Sequence, residues 1–250
     1  MHKAVLVVAH GSLSAEWERL LGACLAAAGL PMRLGQVAEY NGLGLVSVAL
    51  LDAAFSEIGA ALGRLAGGGA TEIRIVPLFV SDFSSHLAAL ASFCTNYPGV
   101  SLGQALNDHP LVLRILQDRY LACAPADGVT ETAVVLIGHG TADPELQAPW
   151  GEWASRTAAA LRRLLSARSQ LQEVLVASLQ PDNLRETVMQ CISNGWRPIL
   201  LPLLLADGVI TRQVIPQKLT GLPYVLGSPY LPHSLVAEWV RTQISAYLAD

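Results

Sequence analysis

The stretch "VLIGHGTADP", residues 135–144, ends an apolar run on histidine, glycine and a hydroxyl residue, and "VLVVAHGS", residues 5–12, does the same near the start. Each run is almost continuous in Val, Leu and Ile, as a strand buried on both faces requires. Working outward from the pair, "EIRIVPLFV" (72–80), "EVLVAS" (173–178) and "PILLPLLL" (198–205) read as further buried strands. Residues 14–30, 50–69, 149–167 and 183–193 carry apolar residues at helical spacing, with Gly29 and Gly67 to Gly69 as stops. This alternation predicts an α/β fold in which parallel sheets are flanked by helices.

The second half repeats the first. His10-Gly11-Ser12 aligns with His139-Gly140-Thr141 at an offset of 129, VPLFVSD (76–82) with LPLLLAD (201–207) at 125, and NDHPLV (107–112) with LPHSLV (231–236) at 124. The drift runs one way, as a few loop deletions would produce. Two similar lobes, 1–125 and 130–250, are therefore expected, related by internal duplication and joined at CAPADGVTE (123–131). The Pro, Gly and acidic residues of that joint suit a boundary. Ligands of open parallel sheets bind beyond the carboxyl ends of the strands. His10 and His139 are accordingly expected at the strand ends of two lobes sharing one cleft.

Composition narrows the partners. With 16 basic and 20 acidic residues the formal charge is -4, which provides no basic field for nucleic acid or an anionic membrane. The 52% hydrophobic content belongs to a core, because charges, Gly or Pro interrupt every apolar stretch short of the ~20 residues of a membrane span. Cys24, Cys94, Cys123 and Cys191 form no CxxC pair, and the first apolar run is too short for a signal peptide. Both features point to reduced thiols and a cytoplasmic location. No P-loop is present and no GxGxxG follows the first strand of either half, so no nucleotide is expected; GHGTA is not a nucleophile elbow either.

The candidate chemistry lies in the loops. A neutral imidazole at a strand end can ligate a metal, and the following glycine lets a ligand approach the backbone. His86, in "PLFVSDFSSHL", follows a second buried strand and joins His10 as a candidate pair for a loosely held divalent metal. The second half has Thr211 opposite His86, so the first lobe is the expected metal site, while His139 is either a substrate contact or a remnant. Two roles fit Asp52: proton acceptor near the metal, or favourable charge at the start of its helix. Glu39 is a further acidic candidate, and Asp82, repeated as Asp207, reads as a cap for the helix after each strand. Asp143 and Glu145 read as a helix start, and His109 and His233 as structural residues before amphipathic helices.

Together, "VLVVAHGS", "VPLFVSDFSSH", "LGQALNDHPLV", "VLIGHGTADP", "LPLLLADGVITRQVIPQ" and "LGSPYLPHSLVAEW" resemble the class II chelatases that act on sirohydrochlorin, in order and spacing over almost the whole chain. The repeat matches their double-length form. The resemblance implies an ATP-independent enzyme that inserts Co2+, Fe2+ or Ni2+ into sirohydrochlorin or a related tetrapyrrole, in cobalamin or siroheme-type cofactor synthesis. It implies metal-binding and catalytic roles for His10 and His86, and it places the family's acidic position on Asp52. The family usually puts its second histidine eight residues after the proline of PLF; here position 85 is serine and His86 comes one later. Gly11, Ser12, His139 and Arg212 are the expected substrate contacts, the arginine being suited to a carboxylate of the macrocycle. The alternatives are a non-catalytic carrier of a metal or tetrapyrrole, and a diverged enzyme for another modified tetrapyrrole. Fused lobes make a monomer sufficient and leave a homo-oligomer open.

Overall fold

The computed structural model describes residues 2–10, 15–30 and 34–250. It divides the chain into two compact units, Met1–Asn107 with His233–Asp250, and Asp108–Pro232.

The first unit begins with β1 (Lys3–His10), α1 (Ala15–Ala27), β2 (Val37–Tyr40), β3 (Gly44–Leu51), α2 (Ser56–Gly67), β4 (Glu72–Leu78), α3 (Ser85–Cys94) and β5 (Val100–Leu102). Its sheet order is β2-β3-β1-β4-β5, and all pairs are parallel except β2 with β3. Ala4 to Ala9 are completely buried because the central strand is covered on both faces. Ala4, Leu6 and Val8 face a core built with Ile58, Leu62, Leu65 and Leu90 of α2 and α3. Each valine, leucine or isoleucine there contributes about 1.5–3 kcal/mol by leaving water.

The second unit holds α4 (Pro110–Cys123), β6 (Thr132–Gly138), α5 (Pro144–Leu164), β7 (Leu171–Ser178), α6 (Leu184–Ser193), β8 (Arg197–Pro202), a π-helix (Ile210–Val214) running into α7 (Ile215–Lys218), and β9 (Val225–Leu226). Its parallel sheet is ordered β7-β6-β8-β9. Ala133, Val135 and Ile137 of β6 repeat the pattern of β1 against Leu184, Val188 and Ile215. The last helix, α8 (Ser234–Ala249), returns to the first unit. The duplicated α/β architecture is as the sequence predicts.

The segment 50–69 is not one helix: Leu50 and Leu51 finish β3, and α2 starts only at Ser56, after Phe55 takes a left-handed conformation at φ 55°. β2 pairs antiparallel with β3 through Tyr40-Asn41-Gly42, where Asn41 and Gly42 have φ of 51° and 74°. Asn-Gly is the dipeptide that tight hairpins favour, and it was the available signal. Finally, 1–125 and 130–250 describe the repeat but not the packing. The helix closing the first repeat, α4, packs on α5 and β8, while the helix closing the second, α8, packs on α1, β1 and β4. The two helices carry similar apolar patterns, so local periodicity does not encode which sheet each will cover.

Both transfers use the same local devices. In the first unit Leu106 and Asn107 donate to the carbonyls of Phe79 and Val80; in the second Tyr230 and Leu231 donate to those of Leu204 and Leu205. His109 and His233 then cap their helices, each Nδ1 accepting from the backbone N–H two residues on, Leu111 at 3.2 Å and Leu235 at 3.3 Å. Arg119 of α4 donates to the carbonyls of Pro229, Tyr230 and Pro232. Charged hydrogen bonds of this kind make Arg119→Ala cost about 2–3 kcal/mol, measurable as a lower urea midpoint at unchanged slope.

Candidate functional site

The two histidines of the first unit are brought together. His10 is the last residue of β1, and its ring stands edge-on to that of His86, centroids 4.9 Å apart at 80°. His86 is the second residue of α3, whose first turn is fixed by Ser84 accepting from the N–H of Leu87. Both histidines are exposed. Phe79, 9% exposed just after β4, sets its ring edge-on to His10 at 6.3 Å and so forms a wall beside the imidazole. Two imidazoles, the side chain that suits divalent first-row metals, thus meet at one strand end. The one-residue displacement of the second histidine therefore does not separate the pair. No sequence motif singles out Phe79; its signal is an aromatic residue directly following a buried strand.

Asp52 lies one residue beyond Leu51, the register partner of His10, and so at the same sheet edge. Its carboxylate is committed to starting α2. Oδ1 accepts from the N–H of Ala54 and Ser56, and Oδ2 from the Ser56 hydroxyl and the N–H of Glu57. These bonds, the Ser56 hydroxyl foremost, hold its carboxyl below the ordinary 3.8. Of the two roles open in the sequence, the local geometry matches the helix start. A depressed carboxyl adds stability fully present above the unfolded value and lost as pH falls through the folded one. The melting temperature of Asp52→Asn should thus lie below wild type near neutrality, and the two curves should converge in acid below 3.8.

Glu39 is displaced from the site. It pairs with Leu45, which pairs with Ala4, six positions before His10 and about 20 Å away along the strand. Asp82 does not cap α3. It accepts from the Ala105 N–H at 2.7 Å and the Asn107 side-chain amide at 2.6 Å, while its own N–H donates to Asn107 Oδ1. It clamps the loop after β4 to the loop before α4.

The second unit keeps one imidazole at the corresponding position. His139 follows β6, is exposed, and places Nδ1 3.2 Å from the Gly140 carbonyl oxygen. Thr211, aligned with His86, is 4% exposed and bonds to the backbone of Gly208. Asp143 and Thr141 build the entry to α5 through the N–H groups of Glu145 and Asp143. Arg212 is exposed in the π-helix after β8. Gly11 and Ser12 lie outside the described residues. Among the described residues no group of three or more His, Cys, Asp and Glu side chains is arranged around a single ion, so the His10–His86 pair stands without a third such ligand.

The CbiX family profile matches residues 4–123 and again 133–247. The chain belongs to the CbiX family. Both matches fall on the repeat found in the sequence, so CbiX membership and duplication are one observation. A search of curated proteins returned no match. Among solved structures the chain is similar to SirB from Bacillus subtilis with Fe3+, at TM-score 0.68 and 21% identity over 100% of this chain and 98% of that one. It is similar to the sirohydrochlorin chelatase SirB from Bacillus subtilis subspecies spizizenii in complex with cobalt, at 0.68 and 22% over 99% and 96%. A third likeness is to CbiX, the terminal enzyme for biosynthesis of siroheme in denitrifying bacteria, at 0.63 and 18% over 97% and 98%. At these identities the likenesses establish a shared double-length fold.

Proposed function

We propose that this CbiX-family chain inserts a divalent metal into sirohydrochlorin, using His10 and His86 of the first unit to hold the ion. The observation that carries the reading is the ring pair at 4.9 Å on a strand end. Its support is the family match together with solved neighbours described as sirohydrochlorin chelatase and siroheme enzyme. Co2+, Fe2+ and Ni2+ all suit imidazole ligation, and SirB structures hold iron or cobalt.

Insertion exchanges one M2+ for two pyrrole N–H protons. The metal substrate sits on two imidazole nitrogens, leaving its other positions open to the macrocycle. As ring nitrogens replace the imidazoles one after the other, each freed histidine nitrogen becomes a base for one departing proton. Metal ligation and proton acceptance then occur in sequence at the same atom, and charge balances without a separate carboxylate base. This assigns His10 and His86 both roles and leaves Asp52 the task of fixing the adjacent loop. Exposed Arg212 and His139 are assigned to the ring's peripheral carboxylates, for which the guanidinium offers a bidentate contact. Gly11 and Ser12 remain proposed substrate contacts from the sequence alone.

The test is anaerobic absorbance spectroscopy of metal-free sirohydrochlorin with each metal separately, above the uncatalysed rate. Multiple turnovers per chain establish the enzyme. A carrier instead gives one equivalent of bound ring or metal and no acceleration.

A further inference from the structure

The first unit contains a second concave site, remote from the histidines. Arg74, Gln104, Gln243, Tyr247 and Asp250 line a cavity of about 430 Å3 between β4, the end of β5 and the last turns of α8. That volume lies within the range of small-molecule pockets. Arg74 pairs in register with Val5, five positions before His10, which places the two sites about 16 Å apart along the strand.

The state of Arg74 is the telling feature. Its Nε is buried and meets no hydrogen-bond partner among the described residues. Buried donors are nearly always paired, and a guanidinium more so. Its plane is held over the Tyr247 ring, 5.1 Å to the centroid, and Lys3 Nζ approaches the same ring at 5.2 Å. Two carboxylates are near. Glu72 is the register partner of Lys3, and Asp250 is part of the lining, yet neither forms an ion pair with Arg74 among the described residues. A guanidinium stacked on Tyr247, with no partner for its Nε and set beside two amide side chains and apolar walls, is suited to one chemical class.

We propose that this cavity binds a small organic oxyanion, a carboxylate or a phosphate ester, through the Arg74 guanidinium with Gln104 and Gln243 as flanking donors. Val76, Leu102 and the Tyr247 ring take the ligand's apolar body. The Asp250 carboxylate opposes an anion, so it sets the affinity from the other side.

Isothermal titration of the full chain with succinate and, separately, inorganic phosphate, at ionic strength held constant with chloride, tests the site and distinguishes its two sources. Saturable binding of at least one probe is expected. Arg74→Lys keeps the charge but loses the fork and should weaken binding about tenfold. Asp250→Asn should tighten it, whereas a cation site would respond in the opposite direction to both changes. His10→Ala and His86→Ala should bind the probe like wild type, so failure of the proposed metal-insertion reaction leaves this outcome readable. A response no greater than that of chloride, or equal affinity in folded Arg74→Lys as judged by its melting temperature, overturns the proposal.

Discussion

Replacing either His10 or His86 by alanine is expected to lower the rate of metal insertion by at least about 100-fold, because loss even of a residue that merely supports a ligand costs 10–100-fold. The double variant should be little worse than either single one, since ligands that act as a unit are strongly non-additive. Both side chains are exposed, so stability should stay within about 0.5 kcal/mol of wild type. The control is His139→Ala. As a proposed contact to the ring's periphery it should raise KM for sirohydrochlorin far more than it lowers kcat. Equal losses of kcat in all three single variants would remove the asymmetry between the units on which the metal assignment rests.

The second large effect concerns backbone. Gly140→Ala is expected to destabilise the chain by about 2–4 kcal/mol. Gly140 has φ of +70°, and a β-carbon there would stand 2.0 Å from the Gln180 carbonyl oxygen. That oxygen also accepts from the Thr141 N–H at 2.9 Å, so it cannot retreat without breaking the turn that leads into α5. Gly195→Ala is the matched control, because Gly195 is also left-handed, at φ +79°, and nothing lies within 4 Å of its added methyl. Chemical denaturation of the pair separates a general glycine effect from this close approach.

The sequence was most legible where one physical cause acts locally. Strands covered on both faces must be apolar throughout, which exposed β1, β4, β6 and β8, and duplication aligned His10 with His139 and His86 with Thr211. Features that depend on a distant partner were hidden. Asp82, repeated as Asp207 ahead of a helix, reads locally as a cap; its real partners, Ala105 and Asn107, lie more than 20 residues on. Glu39 is an acidic candidate by residue type alone, and the antiparallel β2–β3 hairpin carries it to the end of the sheet away from His10. Asp52 is readable as either base or helix start, and the four hydrogen bonds it accepts support the helix start.

The reciprocal placement of α4 and α8 has an evolutionary corollary. A polypeptide of one repeat would end in a helix whose seat is on another copy's sheet, so it would reach this packing only by exchanging helices as a pair of identical chains. In such a pair any substitution appears twice, and a histidine lost from one sheet is lost from both. Joining the copies through residues 123–131 lifts that constraint while preserving the mutual dependence for folding. In one chain the second copy can hold a buried threonine, Thr211, where the first has the exposed imidazole of His86, so the two sheets can end in different chemistry.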